Sequence, residues 1–258
     1  EGLAPLRWEA LEGSTRGTWN LPAGWRREVD GRFRVEQGPV RWQAPTDGVA
    51  PVTLQAMDAD RLWAMPGFQT GHLEGVKARL TEGSLQASVA DLSPDTITWP
   101  GPLAFERADG WRGEAKGGVA PRPGPGATFQ QVEFRKFQAH RALPVGEERL
   151  STDGARWTPA GLRLEGSVVW DQPLDGQRLV LRAPRVLLRE GPGGDLPEEL
   201  PVGYAVAEGQ ALLTWGRRNL SSPRILMERA TRRWKLQAPV LGRGEDGTFS
   251  GGAGQGDP

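Results

Sequence analysis

The chain of 258 residues has no cysteine, one tyrosine, two histidines and four lysines. Without cysteine it can form no disulfide or thiolate metal site, and it cannot use a cysteine nucleophile. No stretch of about 18 apolar residues occurs, so no segment is long enough to cross a bilayer as a helix. The 32 basic and 32 acidic side chains give a formal net charge of zero, which argues against a large polybasic surface for nucleic acid or an anionic membrane.

Sequence motifs for catalysis are equally scarce. His72 and His140 lie outside any metal-ligand spacing, and the chain has neither a G-x-S-x-G elbow nor a phosphate-binding glycine loop. Carboxylate pairs such as Asp58 and Asp60 could serve glycoside hydrolysis or calcium binding, but 32 acidic residues in this length produce such pairs by chance. We therefore expect no enzyme, no cofactor and no bound metal. A carbohydrate-active enzyme with paired carboxylates is kept as an alternative.

Arginines lie close to tryptophans at three places. These are Arg26 and Arg27 after Trp25, Arg217 and Arg218 after Trp215, and Arg232 and Arg233 before Trp234. Such groupings could stack on single-stranded nucleic acid, or they could form cation–π pairs on a sheet surface. The net charge of zero favours cation–π pairs, so we expect no nucleic-acid partner. The same arginines could contact the phosphates of an anionic glycolipid.

Alternation of apolar with polar residues is abundant, and it predicts β-strands. In residues 32–36, Phe33 and Val35 fall on one face and the charged residues fall on the other. The same period of two recurs in residues 85–89, 103–106, 162–165, 178–183, 202–206 and 234–240. Such strands bury one face and leave the other in water, as in antiparallel sheets. We expect an all-β fold of about 14 to 18 short strands with glycine and proline in the turns.

A degenerate internal repeat supports this prediction. Each copy is a strand that ends in tryptophan, a turn with proline and glycine, and a strand that opens on an apolar residue. The copies begin at Trp19, Trp63, Trp99 and Trp157. The Trp63 and Trp157 copies are longer, because each has an aspartate shortly before the tryptophan and a Leu-Glu-Gly run after it. We interpret the pattern as a structural repeat with uneven spacing.

Composition also indicates where the chain divides. Residues 121–126 are the densest run of proline and glycine, and they form either a linker or one long hairpin loop within a continuous sheet. A linker there predicts an N-terminal β module at residues 1–120 and a C-terminal β module at 127–248. Residues 249–258 are glycine-rich and polar, which predicts a disordered tail. Because the chain begins with glutamate and not with methionine, we expect that a signal peptide, a membrane anchor or another preceding segment has been trimmed.

Residues 152–189 contain the most regular unit of the chain. A strand at 153–157 ends in tryptophan and is followed by a turn, a Leu-Glu-Gly-Ser-Val strand at 162–170, an Asp-Gly turn and a strand at 179–186. This unit resembles the periplasmic lipopolysaccharide-transport bridge family, the LptA/LptC-like or OstA-like proteins. The resemblance continues through the rest of the C-terminal module, whereas the first part of the chain echoes it only faintly.

The resemblance implies an extended antiparallel β-jellyroll, or β-taco, present as one module or as two stacked modules. In that fold two sheets face each other across an apolar slot, which shields the acyl chains of lipopolysaccharide or a similar glycolipid. The resemblance also implies a periplasmic or otherwise extracytoplasmic location in the cell envelope. Edge strands would pair with protein partners, and a segment before Glu1 would supply membrane association. The chain is longer than is usual in the family.

We expect a non-catalytic lipid-binding or bridging protein, and we predict which residues line its slot. They are Leu162, Leu164, Val168, Leu179, Leu181, Trp234 and Leu236. An alternative is a structural or interaction module of the envelope, whose two sheets enclose a filled core and whose partners bind at edge strands.

Overall fold

The computed structural model describes residues 4–10, 17–43, 54–65, 70–81, 83–122, 129–174, 176–244, 247–251 and 254–256. Their regular structure consists of antiparallel β-strands and fits an extended β-jellyroll, so the all-β prediction is confirmed. The described residues form 23 strands, more than expected, because short strands replace long ones in the first part of the chain and again near its end. None of these residues belongs to a helix long and apolar enough to cross a membrane.

The chain divides into two compact units, which we call unit 1 (residues 1–134) and unit 2 (residues 135–258). The predicted linker at residues 121–126 lies just before this division. Its residues 123–126 lie outside the described part of the chain.

Unit 1 is built around one long hairpin. Its strands are β1 (Leu6–Ala10), β2 (Gly17–Leu21), β3 (Arg26–Arg27), β4 (Phe33–Val35), β5 (Val40–Gln43), β6 (Leu54–Ala59), β7 (Arg61–Ala64), β8 (Gly71–Leu80), β9 (Gly83–Leu92), β10 (Thr96–Trp99), β11 (Leu103–Arg107), β12 (Arg112–Ala115) and β13 (Gly117–Pro121). β8 pairs with β9 along its length. Near the turn of this hairpin, the sheet continues outward from β8 through β6, β5, β2 and β1, each paired with the strand before it. On the other side it continues from β9 through β11 and β12. At the far end of the hairpin, the sheet continues outward from β8 through β7, β4 and β3, and from β9 through β10 and β13, again by successive pairing.

The two sets of strands in unit 1 meet at a bend in β8. Gly75 in the middle of β8 has a φ of +64°, and a Cβ at this position would collide with the side chain of Asp60. Only a residue without a side chain accepts both this backbone conformation and this close approach. Asp60 itself separates β6 from β7, so the neighbouring strand is broken where β8 bends.

Unit 2 is an antiparallel meander of long strands. Its strands are β14 (Val132–Leu143), which begins just before the division, β15 (Gly146–Thr158), β16 (Gly161–Leu174), β17 (Gln177–Arg189), β18 (Tyr204–Trp215), β19 (Arg218–Glu228), β20 (Trp234–Leu236), β21 (Val240–Gly244), β22 (Gly247–Gly251) and β23 (Gly254–Gly256). β15 to β19 pair in sequence order. β20 and β21 both pair with β19, while β23 pairs with β20 and β22 pairs with β21. The structure thus has strand residues in the segment predicted as a disordered tail, and the rest of that segment lies outside the described residues.

The long strands of unit 2 shift register near their middles, where β-bulges bend the sheet. In β16, Gly166 and Ser167 lie opposite the single residue Pro184 of β17. In β18, Gly209 and Gln210 lie opposite the single residue Pro223 of β19. Proline is tolerated at these positions because the bulge interrupts the ladder, so its missing N–H removes no regular hydrogen bond.

The bulges divide unit 2 into two halves. Half A comprises residues 154–158, 161–165, 185–189, 204–208 and 224–228, and half B comprises residues 149–151, 168–174, 177–183, 211–215 and 218–222. β20 extends half A, and β21 extends half B. Side chains at paired positions lie on the same face of a sheet, so each half carries rows of side chains on a common face.

A long loop between β17 and β18 covers one face of half A. Its leucines pack with two strand residues in a buried cluster of Leu187, Leu196, Leu200 and Val206. The guanidinium of Arg189 fixes the loop by donating hydrogen bonds to the carbonyl oxygens of Gly191, at 3.2 Å, and Pro197, at 2.7 Å. Half A is therefore covered on this face as well as on the face that carries the predicted slot residues.

The predicted alternation is confirmed in β4, where Phe33 and Val35 are both buried. It is wrong at two places. Val202 is exposed because the chain turns just before β18 and does not continue as a strand. In residues 234–240, the exposed residues Ala238 and Pro239 separate β20 from β21, so the predicted single strand is two strands.

Candidate ligand site between the halves of unit 2

All seven residues predicted to line a slot lie in the meander of unit 2. In half A and its extension β20 these are Leu162, Leu164, Trp234 and Leu236. In half B these are Val168, Leu179 and Leu181. The ladder places Leu164 and Leu236 in one row across half A, and it places Leu162 and Trp234 in the next row on the same face. Six of the seven are at most 7% exposed, and Leu162 is half-buried.

A small cavity lies between the two halves. Half B contributes Gln172, Leu179, Leu181 and Leu213, and half A contributes Ala205, Ala207, Ile225, Met227 and, through β20, Trp234. Since both halves supply its walls, the apolar faces of half A and half B are turned toward each other here. The cavity has about 10 Å³ of room for the centre of a water-sized sphere, which corresponds to roughly one water molecule.

Two lining side chains carry hydrogen-bond donors, and neither donor has a strong acceptor. The Nε2 of the buried Gln172 donates to the thioether sulfur of Met227 at 3.5 Å, and sulfur is a weak acceptor. Trp234 is 7% exposed, and its Nε1 has no acceptor among the described residues. A buried donor without an acceptor costs about 1–3 kcal/mol of stability. The cavity therefore combines apolar walls with two donors that an acceptor would satisfy better.

A second polar link joins the halves beside the cavity. Arg232 lies in the turn between β19 and β20, and its Nη1 donates to the carbonyl oxygen of Pro173 in half B at 3.0 Å. The φ of Arg232 is +57°, a left-handed conformation that costs a residue other than glycine roughly 1–2 kcal/mol. This strained turn, which connects half A to β20, holds the guanidinium of Arg232 against the backbone of half B.

One carboxylate next to half B, at Glu148 in β15, is buried but fully paired. Glu148 is 3% exposed. It accepts hydrogen bonds from Trp170 Nε1 at 2.8 Å and from Arg141 Nη2 at 2.6 Å. Because the guanidinium of Arg141 compensates its charge, this group stabilises the strand pair and is poorly placed to act as a free acid or base.

The bend between the halves carries an exposed ion pair. Lys136 Nζ lies 2.5 Å from Asp153 Oδ1, and the backbone N–H of Ser167 donates to Asp153 Oδ2 at 3.0 Å. The hydrogen bond from Lys136, reinforced by that from Ser167, lowers the pKa of Asp153 to about 2. Asp153 also covers Gly166, since a Cβ on this glycine would lie 2.6 Å from the Cβ of Asp153. The ion pair therefore fixes the β15–β16 bulge.

Three of the predicted slot residues, Leu179, Leu181 and Trp234, line the cavity. The other four lie on the strands around it and do not line it. Sequence reasoning missed Gln172, because a polar residue does not mark an apolar face. It also missed Met227, which the alternation with Ile225 in β19 could have indicated. Whether these residues hold a lipid stays a prediction.

The other candidates from the sequence lie in unit 1 or on the surface. His72 Nδ1 is 2.6 Å from Asp91 Oδ1, and its ring lies 5.4 Å from that of Trp63. Asp58 lies 3.9 Å from Arg41, in a long surface ion pair, and Asp60 covers Gly75. Within the described ranges, no group of three or more histidine, aspartate and glutamate side chains could hold a metal ion.

One predicted arginine–tryptophan grouping has cation–π geometry. The guanidinium carbon of Arg218 lies 6.0 Å from the ring centroid of Trp215. A second such contact, between Arg34 and Trp63 at 5.7 Å, joins residues that are distant in sequence. Both arginines therefore lie against an aromatic ring, as the cation–π interpretation predicts for Arg218.

No protein-family model matches this chain, and no curated protein or solved structure matches it either. The resemblance to the lipopolysaccharide-transport bridge family therefore stays a prediction.

Proposed function

We propose that the protein is a non-catalytic lipid-binding or bridging protein of the cell envelope, located outside the cytoplasm. It holds the acyl chain of lipopolysaccharide or a similar glycolipid between half A and half B. The observation that carries the proposal is the cavity, because both halves turn apolar side chains toward it and three predicted slot residues line it. An acyl chain is the ligand that such walls favour, since burial of its methylene groups is worth about 0.8 kcal/mol each.

Lipid entry requires the two halves to move apart. Room for about one water molecule is far below the roughly 300–1,000 Å³ of pockets that hold organic ligands. The links across the cavity are suited to such opening. The bond from Gln172 to Met227 is weak, and the guanidinium of Arg232 reaches only a backbone carbonyl. Methionine also adapts its shape readily, so Met227 can repack against a chain.

The experiment is lipid uptake measured by native mass spectrometry. The delipidated protein is incubated with a lysophospholipid of one acyl chain, and the bound fraction is compared between Leu181→Asp and Val180→Asp. Leu181 lines the cavity, whereas Val180 is the half-buried neighbour on the opposite face of β17. We expect one lipid per wild-type chain, loss of uptake in Leu181→Asp and retention in Val180→Asp.

A second variant addresses the cost of a buried charge, which could unfold Leu181→Asp. Ala207→Leu fills the cavity from half A with apolar atoms, at a cost of about 1–3 kcal/mol for overpacking. We expect it to fold and to take up at least fivefold less lipid than the wild type. Full uptake by folded Ala207→Leu and Leu181→Asp would refute the proposal.

The small cavity favours a second candidate, a structural or interaction module with a filled core. In this case lipid would neither bind nor raise the unfolding temperature, since only a ligand of the folded state stabilises it. Partners would then pair with edge strands, whose free N–H and C=O groups accept another strand. A clean mass without lipid, together with an unchanged unfolding temperature at saturating lipid, would favour this candidate.

A further inference from the structure

The donors at the cavity point to a feature of the ligand that the apolar walls alone do not specify. We propose that Trp234 Nε1 donates a hydrogen bond to the carbonyl oxygen of the ester or amide that links an acyl chain to its headgroup. The inference rests on the proposed lipid function and goes further, because it assigns the residue that distinguishes a carbonyl-linked chain from a plain alkyl chain.

The indole N–H of Trp234 lacks a hydrogen-bond acceptor among the described residues. Trp234 is 7% exposed and lines the cavity. Buried polar groups in native proteins nearly always have a partner. Because Trp234 lines the cavity, an acceptor that arrives with a ligand would satisfy this donor when the two halves move apart.

The chemistry of the cavity indicates what kind of acceptor would fit. Gln172, the other polar residue at the cavity, directs its Nε2 to the sulfur of Met227, so it too would gain from an oxygen acceptor. Trp234 Nε1 and Gln172 Nε2 are both N–H donors, so a ligand that satisfies them supplies acceptor oxygens. A carboxylate would supply them but would bring a charge into apolar surroundings, whereas an ester or amide carbonyl accepts hydrogen bonds without a charge.

The experiment compares two lysophospholipids with the same chain length and headgroup, one ester-linked and one ether-linked. The ether lacks the carbonyl and keeps the chain. Dissociation constants are measured for the full chain by titration calorimetry. We expect the wild type to bind the ester about three- to tenfold more tightly, as one neutral hydrogen bond in a buried site allows. Trp234→Phe, which keeps an aromatic ring and removes the N–H, should bind both lipids with the affinity that the wild type has for the ether.

The control is Trp42→Phe in unit 1. Trp42 is 4% exposed, and its Nε1 likewise has no acceptor among the described residues, but it does not line the cavity. The same chemical change at Trp42 should leave the preference for the ester intact. This comparison separates recognition at the cavity from a general effect of losing a buried indole N–H.

The outcomes distinguish failure of the carbonyl contact from failure of the proposed lipid binding. If the wild type binds ester and ether equally, the carbonyl contact is excluded while lipid binding stands. If Trp234→Phe keeps the preference, another donor makes the contact and the assignment to Trp234 fails. If the wild type binds neither lipid, the proposed function fails and the inference fails with it.

Discussion

In unit 2 the strands β16 to β19 run through the bend without interruption, whereas in unit 1 β8 and β9 run through it and their neighbours are broken into pairs of short strands. The breaks in unit 1 coincide with turn-forming residues, such as Pro100, Gly101 and Pro102 between β10 and β11. Unit 2 instead places Pro184 and Pro223 opposite bulges, where the strand continues. Proline therefore ends strands in unit 1. In unit 2 the strand that contains proline continues, because the partner strand forms a bulge opposite it.

Both units have the same pairing of an aspartate with a glycine at the bend. In each, a Leu-Glu-Gly run places its glycine under an aspartate of the preceding strand region, Asp60 over Gly75 in unit 1 and Asp153 over Gly166 in unit 2. The glycines have φ values of +64° and +96°. The repeat read from the sequence thus corresponds to a common local structure at these two copies. The units differ in how far the neighbouring strands follow the bend.

The largest effect that tests this correspondence is expected at the leucines of the two runs. Leu73 and Leu164 are both 0% exposed, so truncation to alanine removes buried methyl groups and leaves a cavity in each core. We expect Leu73→Ala and Leu164→Ala each to lower the free energy of unfolding by about 2–5 kcal/mol. Urea titrations monitored by tryptophan fluorescence measure the loss. A loss below about 1 kcal/mol at one of them would show that the two positions are not equivalent.

The glycines should give the next largest effect. Gly75→Ala and Gly166→Ala combine a left-handed backbone with a collision against the covering aspartate, so we expect each to cost about 2 kcal/mol or more. The control is Gly176→Ala, because Gly176 has a similar φ of +73° with nothing within 4 Å of the added Cβ. We expect it to cost only about 1 kcal/mol. Thermal unfolding of the three variants separates backbone strain from crowding, and equal losses would leave no role for the aspartates.

Much of this architecture could be predicted from the sequence. The alternation around Phe33 and Val35 identified a buried face, and the apolar positions Leu179 and Leu181 were assigned to the face that lines the cavity. A period of two is a local property, and burial follows it wherever one face meets a core.

The remaining features depend on contacts between distant residues. Val202 fits the alternation, but the turn before β18 exposes it, and the flanking Pro201 and Gly203 were the local signal of that turn. The link from Arg232 to Pro173 joins residues 59 apart in the chain, so spacing could not indicate it. Gln172 was missed because its amide is buried against Met227 across the halves, an environment that only the folded chain creates.

A smaller effect is expected at the covering aspartates, and it should differ between the units. Asp153 binds Lys136 and the backbone N–H of Ser167, whereas no side-chain hydrogen bond or ion pair of Asp60 is found among the described residues. We therefore expect Asp153→Ala to lower the unfolding temperature of the protein modestly and Asp60→Ala to lower it less. Differential scanning calorimetry provides the measurement. A larger loss for Asp60→Ala would mean that covering the glycine, and not the hydrogen bonds, is what stabilises the bend.

The smallest effect, and the most specific one, is the pH dependence of the ion pair at the bend of unit 2. The folded protein lowers the pKa of Asp153 to about 2 through Lys136 and Ser167, from a value of about 3.9 in an unfolded chain. The charged carboxylate therefore stabilises the folded state above about pH 4, and this contribution is lost as the pH falls toward 2. We expect the unfolding temperature of the wild type to exceed that of Asp153→Asn by a constant amount above about pH 5, and the gap to close between about pH 4 and pH 2. If the difference in unfolding temperature between the wild type and Asp153→Asn persists unchanged at pH 2, the asparagine destabilises the protein through its shape. The charge of Asp153 then does not stabilise the bend.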